Sequence, residues 1–195
     1  MARRTPALAT SCASAALVSN ISTVIQLAAV TAAIDRTLLS RLALPLIAAG
    51  VTIALVSALS VWRTRDDLLP DTTRPGGRAF EPRHALVFVS AVGTVLLVSA
   101  AALDRLGHAA LGATLALSGF ADVHAAAASA AQLVAAGQAP LAIAVSGVAM
   151  ALATNSISKL VLAWVTGGRG YALRLLPGLV LMVLAFASVA LWQPT

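Results

Sequence analysis

Residues 42–62 read LALPLIAAGVTIALVSALSVW, an unbroken apolar run without a charged side chain. As a helix rising about 1.5 Å per residue it is about 30 Å long, the thickness of the hydrocarbon core of a bilayer. Pro45 stands in its first turn, where a missing N–H is tolerated. Similar runs recur on both sides. Hydrophobic residues make up 59% of the chain and charged residues 10%, with a mean hydropathy of +0.93. A soluble domain carries about 25% charged residues, so this surface is built to face lipid. The expected fold class is all-α: a polytopic transmembrane bundle of about six helices.

Apolar stretches place helices over about 7–33, 42–62, 85–103, 139–166 and 172–192. A further segment over 108–136 is longer than one crossing needs, and SGFADVH (Ser118–His124) interrupts it. Each half is too short to span alone, so the segment either crosses with a break or re-enters. The hydrophilic stretch 63–84, RTRDDLLPDTTRPGGRAFEPRH, reads as a surface loop from its prolines, its Gly76-Gly77 pair and its mixed charge.

The net charge of +6 would suggest nucleic acid in a soluble protein. Here the arginines fall in the breaks between apolar runs, where the positive-inside rule and anionic headgroups place them, and no basic face forms. Arg3 and Arg4 lie two helices from the long loop with Arg63, Arg65, Arg74, Arg78 and Arg83, so an inside N-terminus is expected. Arg36, Arg41, Arg105, Arg169 and Arg174 then occupy the opposing loops. Cys12 is the only cysteine, which leaves no intrachain disulfide and no thiolate cluster. The apolar N-terminal run extends to Ala33, well beyond a signal-peptide core of about 7–15 residues.

The chain also resembles itself. PALATSCASAALVSNISTVIQLAAVT, from Pro6, aligns with PLAIAVSGVAMALATNSISKLVLAWVT, from Pro140. Asn20 falls on Asn155 and Val30-Thr31 on Val165-Thr166; in the next helix Arg41-Leu42 falls on Arg174-Leu175 and Pro45 on Pro177. Such repeats build many transporter folds, with binding sites at the repeat interface. The expected organisation is one transmembrane domain, 1–195. It holds a partial first repeat (6–62), the hydrophilic loop (63–84) and a second repeat (85–193). On this reading the chain begins partway through its first repeat.

Two polar groups stand out. At the break, Ser118, Asp122 and His124 either sit at membrane depth, where an ionisable group marks function, or form a turn at the headgroups. Asp122 and His124 are two apart and share no helical face, so a metal site from this pair is not expected. In the 139–166 helix, Asn155, Ser156, Ser158 and Lys159 form a polar centre. Asn155 and Lys159 are four apart, on one face. Lys159 either pairs with Asp122 across the bundle or snorkels towards Gly167. Asn20, Ser22 and Gln26 are the counterparts in the first helix, and Asn20 and Gln26 serve as secondary candidates; packing by interhelical hydrogen bonds is the expected use. The alanines at 125–128 and 130–131 permit close helix approach, and Trp62 and Trp192 end helices where aromatic belts sit.

SGFADVHAAAASAAQLVAAGQAP, ALATNSISKLVLAWVTGGRG and LRLLPGLVLMVL together resemble a membrane domain of unknown function, DUF4010, often fused to MgtC/SapB-type domains. The resemblance covers nearly the whole chain and is most specific from Ser118. It maps the family pattern onto Ser118, Gly119, Asp122 and His124, then Asn155 and Lys159, then Gly167, Gly168 and Arg169, then Pro177 and Gly178. Family members carry a counterpart of SGFADVH upstream of the first helix, and a basic residue near Gln26, that this sequence lacks. The resemblance implies a multi-spanning protein of the bacterial inner membrane, transporter-like for a small solute or ion. The alternatives are a membrane subunit that docks another membrane protein, and a fragment of a larger protein of this kind. No phosphate loop, nucleophile triad or carboxylate pair is present, so no enzyme, catalytic residue or cofactor is expected. The expected partners are the bilayer and a second copy or membrane subunit.

Overall fold

The computed structural model describes residues 6–63 and 111–192, with side chains from Ala13 onward. The loop from 64 to 84, the helix expected over 85–103, Arg3, Arg4, Arg105 and the Cys12 side chain lie outside the described residues. The described residues form six helices: α1 (Pro6–Ile34), α2 (Arg36–Arg63), α3 (Leu111–Ser118), α4 (Val123–Ala135), α5 (Leu141–Gly167) and α6 (Arg169–Trp192). Among the described residues there is no strand. Four helices, α1, α2, α5 and α6, are long and apolar enough to cross a bilayer. The other two come from the single segment expected over 108–136.

Each long pair is divided at one residue. Asp35 separates α1 from α2 as an N-cap: its Oδ1 accepts from the Leu38 N–H at 2.6 Å and its carbonyl from the Leu39 N–H at 3.2 Å. That cap starts α2 at Arg36, several residues before the expected Leu42, so Pro45 falls inside the helix and not in its first turn. Gly168 separates α5 from α6. Its φ of +85° is a conformation that glycine adopts without strain, and its N–H closes α5 on the Trp164 carbonyl at 2.9 Å. α6 therefore also begins early and encloses Pro177. Across α1 and α2, Ser14 and Ser60 share a 2.8 Å hydroxyl hydrogen bond and Gly50 lies beside Val24, as in an antiparallel pair. Gly178 lets α6 close on Leu17 and Val56, joining α6 to that pair.

The short helices pack on α5. Its buried positions Ala144, Gly147, Val148, Ala151 and Leu152 follow the three-and-four spacing of one helical stripe, and they are small where α3 approaches. A side chain on Gly147 would strike Leu115, and one on Gly119 would strike Ala151 and Thr154. As α3 and the following turn advance from Leu115 to Gly119, their contacts on α5 advance from Gly147 to Ala151 and Thr154, so α3 runs parallel to α5. α4 then returns: only residues 136–140 connect its end to the start of α5, so it runs antiparallel. Ala126, Ala127, Ala130 and Ala131 are fully buried, which lets α4 sit close against its neighbours. α3 and α4 thus form a re-entrant hairpin. It enters and leaves on the side of Leu141, and its tip is residues 119–122.

Close approach at Gly119 contrasts with Gly112, where an added Cβ would meet nothing among the described residues. Gly119→Val is expected to destabilise the protein by about 1–3 kcal/mol, the usual cost of overpacking. Gly112→Val should stabilise by a few tenths of a kcal/mol, since valine has the higher helix propensity. SDS unfolding in mixed micelles measures both. Equal effects would contradict the packing described.

Candidate functional site

The hairpin tip lies against the middle of a spanning helix. α5 has 27 residues and Thr154 is its central one. A tight turn after α3 sends the Phe120 N–H to Leu117 O at 3.1 Å, away from its helical acceptor, Ala116 O. Ala116 O is taken instead by the Thr154 hydroxyl at 2.6 Å. One helical turn along α5, Ser158 Oγ donates to Phe120 O at 2.9 Å. Leu115 O and Ser118 O accept from the N–H groups of Gly119, Ala121 and Asp122. Two hydroxyls at i and i+4 therefore satisfy the carbonyls that the break frees. Backbone polar groups at this depth require such partners.

Asp122 holds the start of α4. Its backbone is extended (φ −157°, ψ 114°), and its Oδ1 accepts from the His124 N–H at 2.8 Å and meets His124 Nδ1 at 2.9 Å. His124 Nε2 is buried with no partner among the described residues. Ser118 bonds within its own helix, to Thr114 O at 2.8 Å.

The neighbouring stripe of α5 turns elsewhere. Ser158 and Lys159 are successive residues, about 100° apart around the helix, so Lys159 faces α1 while Ser158 faces the hairpin. Lys159 Nζ donates to Asn20 Oδ1 at 2.7 Å and to Thr23 Oγ1 at 3.1 Å. Asn20 and Thr23 are both buried, and the Asn20 amide N–H bonds Ala16 O at 2.9 Å, which fixes its oxygen towards the amine. Asn20 is the central residue of α1. The Lys159–Asp122 pair considered from sequence is therefore not formed: the carboxylate caps α4, and the amine is held by α1 and not extended towards Gly167.

Lys159 and Asn20 end a cleft of about 220 Å³ between α1, α5 and α6. Its wall follows α5 from Lys159 through Leu162 and Ala163 to Thr166, and continues on α6 with Tyr171 and Leu175. Along α1 it passes from Asn20 to Ser19 and Ala16. It thus leads from mid-helix to the α5–α6 turn, the end of α5 opposite to the one from which the hairpin enters.

Of the candidates read from sequence, the structure joins Lys159 to Asn20 and Ser158 to the SGFADVH break. Asn155 is half-buried and makes no side-chain hydrogen bond among the described residues, and Gln26 is exposed. Thr23 and Thr154 were missed. Thr154 is four residues before Ser158, and Thr23 is one turn from Asn20; both spacings were available signals.

The fold and this site define a polytopic helical membrane protein. The domain of unknown function DUF4010 matches residues 1–167, and the chain belongs to that family. No curated protein and no solved structure matches it.

Replacing Thr154 by Val and Ser158 by Ala would strand Ala116 O and Phe120 O. Each substitution is expected to cost about 1–3 kcal/mol, the penalty of an unsatisfied buried carbonyl. Amide exchange over residues 116–124 should accelerate. Ser146→Ala and Ser188→Ala, at exposed hydroxyls bonded within their own helices, should leave both readouts unchanged. Equal behaviour of the two sets would remove the proposed role of α5 at the break.

Proposed function

We propose that the chain forms a pathway component for a small solute or ion, with the cleft between α1, α5 and α6 as its half-channel and the hairpin tip as its closed end. The observation that carries this reading is the Lys159–Asn20–Thr23 network at mid-helix, opening into the cleft. A polar group at such depth marks a solute or ion path. The volume, about 220 Å³, lies below the roughly 300–1,000 Å³ of drug-sized ligand sites. The reading is of a carrier or channel-like protein and not of a catalyst.

Two further features support a repeat related by inversion. At an offset of 135, Ala16, Ser19, Asn20 and Thr23 fall on Ala151, Thr154, Asn155 and Ser158. The wall of the cleft descends α1 as it climbs α5, so the two helices run in opposite directions. A hairpin that re-enters also changes the topology read from sequence. With the one crossing that the sequence leads us to expect over 85–103, Arg169 and Arg174 join the N-terminal and long-loop arginines on one side and leave Arg36, Arg41 and Arg105 opposite. That sharper bias supports a cytoplasmic N-terminus and a cytoplasmic mouth for the cleft.

The same correspondence favours a second reading as a docking subunit. In it, α1 receives from another membrane protein the kind of hairpin that α5 receives from within the chain. A stoichiometric partner retained through purification, with no flux by the chain alone, would identify that role.

Reconstituted vesicles test the first reading. Swelling in potassium acetate, potassium chloride, glycine and glycerol should reveal flux above empty vesicles for at least one solute. Ser19→Trp, which fills the cleft, should return it to background. Flux unaffected by Ser19→Trp would place the pathway elsewhere, and no flux for any solute would reject it.

A further inference from the structure

We propose that the cleft binds a small anion, held by the amine of Lys159. The proposal deepens the pathway reading and takes its location from it, but it rests on separate chemistry. An ammonium has three N–H donors and no acceptor. Two are used, by Asn20 Oδ1 and Thr23 Oγ1, and both acceptors are neutral. One donor remains among the described residues, and Lys159 lines the cleft.

Among the described residues the charge likewise has no counterion. Asp35 and Asp122 are the two carboxylates among the described residues, and each caps a helix, α2 and α4. Lys159 forms no ion pair among the described residues. A buried cation needs a partner of opposite sign or water, and the adjoining space is large enough to hold one. About 220 Å³ is the room of roughly seven waters at ~30 Å³ each. That fits a halide, a nitrate or a short-chain carboxylate with part of its hydration.

The mouth has the same sign. The α5–α6 turn, where the cleft ends, carries exposed Arg169, with no acid between 165 and 174. A cleft lined by one sign of charge with low-dielectric walls concentrates ions of the other sign. A cation meets repulsion at both the entrance and the end. The lining combines this with apolar Leu162, Ala163 and Leu175 and the Ser19 hydroxyl, so a carboxylate with a short alkyl tail has a place for each part.

Thermal unfolding of the purified full-length chain in detergent, titrated with potassium chloride, nitrate, acetate and propionate against potassium gluconate at equal ionic strength, tests the proposal. Saturable stabilisation by at least one small anion is expected, since a ligand that binds only the folded state raises its stability. Lys159→Met should weaken that anion by roughly tenfold or more, as loss of a charge-assisted bond does, and Lys159→Arg should retain it. Should Lys159→Met fail to fold, Asn20→Asp serves instead. It sets a carboxylate beside the amine at nearly unchanged shape and should suppress anion binding while preserving the fold. No anion effect beyond gluconate, or an effect unchanged in both Lys159→Met and Asn20→Asp, would overturn the proposal. Flux of neutral solutes without anion binding would remove the anion and keep the pathway. Anion binding lost on mutation, without flux, would keep the site and remove the pathway.

Discussion

Two backbone carbonyls govern this structure. Ala116 O and Phe120 O are released where the chain turns between α3 and α4, and that turn lies beside the centre of a helix long enough to cross a bilayer. Hydrocarbon offers no donor, so such a turn can exist only where the surrounding protein provides one. Thr154 and Ser158 do so, one turn apart on α5. Their placement fixes the depth of the hairpin, and the small residues Gly147, Ala151 and Gly119 fix its distance. With depth and distance set, the short connection from Ala136 to Pro140 leaves α4 no course but back to the side it came from.

From this follows a division of labour around α5. One stripe, Thr154 and Ser158, faces the hairpin and serves the backbone. The adjoining stripe, with Lys159, faces α1, where the amine donates to Asn20 and Thr23. The hairpin closes the bundle from the Leu141 end and the cleft opens it from the Gly168 end; the two meet within the same turn and a half of α5. That arrangement, a plug below and a pocket above a mid-helix amine, is the physical basis for reading the protein as a solute pathway. It also explains why Asp122 and Lys159 remain apart. Consecutive residues on a helix cannot share a face, and once Ser158 is committed to Phe120 O, Lys159 is turned towards Asn20.

The sequence made much of this legible. Apolar runs bounded by Asp35 and Gly168 gave the long helices, and the misfit between a 29-residue segment and the SGFADVH interruption marked the break. Helix starts were read late at α2 and α6, because RTLLSR and RGYALR look polar although a cap already holds them helical. Whether 108–136 crosses or returns was beyond periodicity, since both courses have the same pattern. It is decided by the match of Leu115 to Gly147 and of Gly119 to Ala151, which is a tertiary fit. Lys159 and Asn20 were each visible as polar residues in apolar helices, but their pairing was not: they are 139 residues apart, and a lysine with an aspartate elsewhere in the chain suggests an ion pair. Thr23 and Thr154 escaped notice because threonine in an apolar helix commonly bonds its own preceding turn.

The central claim is that the hairpin enters and leaves on one side. In a Cys12→Ser background, single cysteines at Gly112, Gly137 and Gly170 can be labelled from either face of sealed, oriented vesicles with a membrane-impermeant thiol reagent. The account predicts that Gly112→Cys and Gly137→Cys react from the same face and Gly170→Cys from the other. Reaction of Gly112→Cys and Gly137→Cys from opposite faces would mean that the segment crosses the membrane, and would contradict the account.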